Sequence, residues 1–172
     1  GGVSRWERPE VFAGYAQEIA AIVAAFPGME GRNLVEPFAS VGPDKVGASH
    51  TSPGETVPGR IAVVDYGAKA SIVENITRGG HEVLLFPASA GAEEILAAGP
   101  KGVVLSNGPG DPAVLSGPIE TAGRLLGKVP LLGICLGHQL IGLGLGGKTY
   151  KMKFGHHGAN HPVRNQETGS VQ

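Results

Sequence analysis

The sequence holds one cysteine, Cys135, in the run Gly133-Ile134-Cys135-Leu136-Gly137-His138-Gln139. A cysteine thiolate attacks carbonyl carbon, so the placement of this residue decides whether it is chemical or structural. Gly133, Cys135 and Gly137 fill the pattern G-x-nucleophile-x-G, in which a strand turns directly into a helix. Such a turn crowds the residues two before and two after its apex, where a Cβ would collide. It also exposes the sulfur and aims a helix N-terminus at it, which favours the thiolate. The backbone N–H of Leu136 then points to where an oxyanion forms during acyl transfer. A lone cysteine among apolar residues is ordinarily a packing residue. The flanking glycines and the strand-end position favour the nucleophile.

The elements that must position this residue follow from the apolar pattern. Residues 10–26 place Val11, Phe12, Tyr15, Ile19, Ile22, Val23 and Phe26 at three- and four-residue spacings, which predicts one amphipathic helix stopped by Pro27-Gly28. Residues 31–59 are rich in Gly, Pro, Ser and Thr, and a domain boundary is expected near Pro58-Gly59. Beyond it, strands are predicted at 60–65, 82–86, 102–106 and 129–134, with helices around 70–77, 92–98 and 119–126 and another directly behind Cys135. The alternation predicts an α/β fold, an open parallel sheet with helices on both faces. Ligands bind such sheets outside the carboxyl ends of the strands. The loop Asn107-Gly108-Pro109-Gly110-Asp111-Pro112 and Cys135 both fall at such ends.

Composition bounds the alternatives. In 172 residues, 41% are hydrophobic and 17% charged, which suits a chain with a buried core. The net charge of -1 gives no electrostatic case for nucleic acid or an anionic membrane. No run approaches the roughly 18 apolar residues of a membrane span. A single cysteine makes no internal disulfide, so a reducing, cytoplasmic setting is expected. The 29 glycines sit mostly at the ends of short apolar runs, as strand-to-helix turns require. The start, Gly1-Gly2-Val3-Ser4, reads as that of a fragment or a processed chain.

The nucleophile run resembles that of class I glutamine amidotransferases, and Leu105 to Pro112 resembles their oxyanion and glutamine-binding loop. Asp65-Tyr66-Gly67-Ala68-Lys69 and the run from Lys151 to Val163 are similar to segments of the carbamoyl-phosphate synthetase small-subunit family. So is Ala25-Phe26-Pro27-Gly28-Met29 with Gly31-Arg32-Asn33-Leu34. The resemblance implies residues 1–58 as the end of an N-terminal domain plus linker, and 59–172 as the first part of the amidotransferase domain. It implies Cys135 as the catalytic thiolate, Gly108 and Leu136 as oxyanion donors, and Gly110 and Gln139 as glutamine contacts. The expected reaction forms a γ-glutamyl thioester and releases ammonia to a large synthetase subunit, for arginine and pyrimidine synthesis. No cofactor is expected in this chain, since the resemblance puts ATP and Mg on that partner. Readings kept beside it are a non-catalytic glutamine-binding or partner-docking fragment, another class I amidotransferase, and another cysteine-elbow hydrolase.

Family members complete the reaction with a histidine–glutamate pair in a later His-Pro-Glu motif, which this sequence does not contain. The chain is therefore expected to be truncated at both ends and inactive alone. His138 matches a family position that is not the base. His156, His157 and His161 fit no usual zinc spacing, so no metal is expected. Gly142-x-Gly144-x-x-Gly147 comes at the end of a helix instead of opening one, so it is read as helix termination with close packing. Asp111 and Glu120 are read as solvated charges.

Overall fold

The computed structural model describes residues 9–25, 27–35, 44–46, 59–153, 155 and 162–171. In chain order the elements are α1 (Pro9–Ala25), β1 (Asp44–Val46), β2 (Arg60–Asp65), α2 (Ala70–Arg78), β3 (Glu82–Pro87) and α3 (Ala92–Ala97). They continue with β4 (Gly102–Leu105), a 3-10 turn (Pro112–Val114), α4 (Ser116–Leu125), β5 (Leu131–Gly133) and α5 (Leu136–Gly144).

The strands form one sheet in the order β1-β3-β2-β4-β5. From β2 to β5 every pairing is parallel, with Val63 opposite both Leu85 and Val104, and Leu105 opposite Gly133. This is the open parallel sheet that the sequence predicts. A short strand outside that expectation, β1, pairs antiparallel with β3 along Val83 to Leu85. The last strand is shorter than predicted. Pro130 has no N–H to give the ladder, and Ile134 already leads into the turn at Cys135.

Successive residues of a strand point to opposite faces, and the core divides accordingly. Ala62, Val64, Leu84, Phe86, Val103 and Leu105 face α3, α4 and α5, where Ile95, Leu125, Leu136 and Leu140 are buried. Val63, Val83 and Val104 face the other way, against Ile72, Val73 and Ile76 of α2. Helices therefore cover both faces. Leu132 of β5 is 58% exposed, and so is Ile19 of α1. Residues 17–25 of α1 are exposed throughout, and the stripe of Ile19, Ile22 and Val23 is exposed with them.

Gly142-x-Gly144-x-x-Gly147 ends α5 as the sequence suggests. Gly147 N–H donates to Gly142 O at 2.9 Å. A Cβ on Gly144 would stand 2.9 Å from Gly123 N, so α4 and α5 meet backbone to backbone.

Tyr66 is fully buried beyond the end of β2, and its hydroxyl has no hydrogen-bond partner among the described residues. Burial pushes its phenol well above the usual range, so it stays neutral. A buried hydroxyl without a partner costs about 1–3 kcal/mol. Tyr66→Phe is therefore expected to raise the free energy of unfolding by about 1 kcal/mol. A urea titration checks this, and a loss of stability would show that the hydroxyl is bonded.

Candidate active site

Cys135 stands between β5 and α5 with φ 52 and ψ −103, the one residue other than glycine with positive φ among the described residues. That backbone corner favours glycine, and holding a side chain there costs on the order of 1–3 kcal/mol. The neighbours impose it. A Cβ on Gly133 would lie 2.5 Å from Gly137 C and from His138 N. A Cβ on Gly137 would lie 2.1 Å from Leu105 O. Gly137 N–H donates to Ser106 O at 3.1 Å and to Ile134 O at 3.0 Å, which pins the first turn of α5 to the end of β4. The result is an exposed sulfur above a buried Leu136.

Gln139 lies four residues beyond Cys135, on the same side of α5, and its N–H donates to Cys135 O at 3.2 Å. Both Gln139 and His138 are exposed. Gly108 comes to the same place from β4. A Cβ there would meet Leu136 Cδ2 at 2.7 Å and Tyr66 O at 2.4 Å. Only glycine lets this loop lie so close to the start of α5. Neither Gly108 N–H nor Leu136 N–H donates a hydrogen bond among the described residues. The geometry thus brings Cys135, Leu136, Gln139 and Gly108 together, with Gly110 two residues further along the loop.

The loop is held by groups to which the sequence reading gave no individual role. Ser106 Oγ accepts from Tyr66 N–H at 2.9 Å and donates to Asn107 O at 2.8 Å. Asn107 Oδ1 accepts from Lys69 N–H at 3.0 Å, and its Nδ2 donates to Gly67 O at 3.0 Å. Asp65 Oδ1 accepts from Gly67 and Ala68 N–H at 2.8 and 2.7 Å, folding the turn after β2 that Asn107 grips. The Asp65-Tyr66-Gly67-Ala68-Lys69 run thereby buttresses the loop. Its signal in sequence was an Asx-type turn residue at the end of a buried strand.

Asp111 is not a free solvated charge. Its Oδ2 accepts from Gly31 N–H and its Oδ1 from Ala113 N–H, each at 2.9 Å. The Gly31 N–H, then the Ala113 N–H, and also the charge of Lys151 hold its carboxyl below the usual carboxylate range, against partial desolvation. A lowered folded-state value stabilises the fold above the ordinary carboxylate range, and this stability is lost as pH falls through the lowered value. Glu120 remains a helix-face charge, 3.6 Å from Arg124, which also pairs with Glu93. His156, His157 and His161 lie outside the described residues, and no metal-binding cluster occurs among the described ones. No histidine hydrogen-bonds to Cys135 among them either.

Compared with protein families, residues 62–172 match glutamine amidotransferase class-I. The chain belongs to that family. Among curated relatives, the chain is 47% identical over 150 residues to the carbamoyl phosphate synthase small chain of Akkermansia muciniphila, across 84% of its own length and 40% of that one. It is 39% identical over 165 residues to the small chain of Solidesulfovibrio magneticus, across 91% and 44%. It is 49% identical over 132 residues to the pyrimidine-specific small chain of Halalkalibacterium halodurans, across 75% and 36%. The chain thus spans less than half the length of these relatives.

Proposed function

We propose that this chain carries the glutamine-cleaving centre of a carbamoyl-phosphate synthetase small subunit. The observation that carries the proposal is the strained, exposed Cys135 with the Gly108 loop packed on Leu136 beside it. In the proposed reaction the Cys135 thiolate attacks the side-chain amide carbon of glutamine, forming a C–S bond as the carbonyl pair moves onto oxygen. Gly108 and Leu136 N–H hold that oxyanion. Its collapse restores the carbonyl and breaks the C–N bond, and the nitrogen takes a proton and leaves as ammonia. Water then cleaves the γ-glutamyl thioester, giving glutamate and the free thiol. Gly110 and Gln139 contact the glutamine.

The relatives' names, small chains of carbamoyl phosphate synthase and in one case a pyrimidine-specific one, support a larger partner chain as the ammonia acceptor. The proposal further puts ATP and Mg on that partner and the product in arginine and pyrimidine synthesis in the cytoplasm. Proton delivery to the leaving nitrogen calls for a positioned acid such as histidine, which the described residues do not place at Cys135. Acylation of Cys135 by glutamine, and with it turnover, is accordingly proposed to be slow in these 172 residues.

The test uses 6-diazo-5-oxo-L-norleucine, a glutamine-analogue electrophile. Because the chain has one cysteine, intact mass is expected to show a single adduct, slowed by excess glutamine. Labelling that glutamine does not slow would remove the glutamine site from the proposal, and no labelling would remove the activated thiol.

A further inference from the structure

The loop that carries Gly108 and Gly110 is held at its far end by a segment outside the matched family region. Residues 27–35 run against it. Gly110, at φ +96, lies so close that a Cβ would meet Arg32 O at 2.9 Å and Leu34 N at 3.1 Å. Asp111 N–H donates to Arg32 O at 3.3 Å, while the Asp111 carboxylate accepts from Gly31 N–H across 80 residues of sequence. The segment has its own internal order. Arg32 N–H donates to Met29 O at 3.1 Å, Val35 N–H donates to Asn33 Oδ1 at 3.1 Å, and Val35 is buried in the main core. The other oxygen of Asp111 caps the 3-10 turn at Pro112–Val114. One carboxylate thus ties together the glycine loop, the turn that follows it and a strap from the start of the chain.

We infer that Asp111 is a positioning residue, and that the 31–34 strap it grips sets the place of Gly110 for glutamine binding. This inference rests on the glutamine-cleaving reading of the site. Two features make the strap more than a packing neighbour. The loop is fixed on its near side, where Asn107 grips the turn after β2 and Gly108 rests on Leu136, so Gly110 is the part left for the strap to place. Charge-assisted bonds from a carboxylate to N–H groups are also stronger and more directional than neutral ones.

The experiment compares the full chain with Asp111→Ala and Asp111→Asn in two measurements. The first is the rate of Cys135 labelling by the norleucine analogue against its concentration, with iodoacetamide as a reagent that needs no glutamine site. Asp111→Ala is expected to raise the half-saturating analogue concentration roughly tenfold while leaving the iodoacetamide rate within about twofold. Asp111→Asn keeps one acceptor oxygen and is expected to recover part of the loss. The second is amide hydrogen exchange, which is expected to quicken in Asp111→Ala at residues 31–34 together with 108–113. An unchanged half-saturation, or faster exchange at 111–113 alone, would overturn the inference. A wild-type chain whose labelling never saturates would instead overturn the glutamine reading, and the exchange result would still decide whether Asp111 joins the strap to the loop.

Discussion

Gly137→Ala is expected to cost about 4 kcal/mol or more, a large share of the roughly 5–15 kcal/mol that keeps a domain folded. The added Cβ would sit 2.1 Å from Leu105 O, 2.6 Å from Leu105 C and 2.7 Å from Leu105 Cβ. Leu105 is fully buried and paired with both β2 and β5, so it cannot move aside without breaking the ladder on either side. Side-chain repacking offers no relief, because the atoms in the way are mostly backbone. Gly142→Ala provides the control within the same helix. Nothing lies within 4 Å of a Cβ there. An exposed helical glycine costs up to about 1 kcal/mol relative to alanine, so that variant is expected to gain stability. Urea titration of the two proteins checks both signs. A Gly137→Ala protein with an unchanged unfolding free energy would mean that β4 and α5 are not in contact at this point.

Cys135→Gly is expected to gain about 1 kcal/mol of stability while losing all labelling by the glutamine analogue. The backbone corner at φ 52 and ψ −103 costs a side chain on the order of 1–3 kcal/mol. Glycine escapes that cost, but its freer unfolded chain returns about 0.5–1 kcal/mol of it. Cys135→Ala separates the two effects, because it removes the sulfur and keeps the strain. The glycine variant is therefore expected to be the more stable of the pair, and both should be chemically silent. Equal stabilities would show that the corner is unstrained. The single thiol of this chain then stands where stability alone would place glycine.

The sheet was legible because parallel strands buried on both faces read as continuous apolar runs. Residues 60–65 are predicted and observed with the same limits, and the runs at 82 and 102 end within one residue of their predicted limits. The turn at Cys135 was legible because two glycines at fixed spacing answer a steric demand that no other residue meets. β1 was not, since Asp44-Lys45-Val46 is too short and polar to show alternation, and its pairing with β3 is decided by distant sequence. The Asp111 strap was hidden for a related reason. Its bonds join backbone groups 80 residues apart, and such contacts leave no periodic trace in the sequence. In α1 the apolar stripe was readable, but a stripe says only that a face is apolar. It does not say what lies against it.

The strand order has a consequence for the loops beside Cys135. Between β2 and β4 the chain reverses the direction in which it adds strands, and an α/β sheet ordinarily opens a crevice there. Here that crevice is stitched shut by the Ser106 hydroxyl and the Asn107 amide, which bond to Tyr66, Gly67 and Lys69. Cys135 stands one strand further out, at the end of β5. The loops after β2 and β4 therefore form one braced unit, and a disturbance of either turn reaches the glycines that pack against the start of α5.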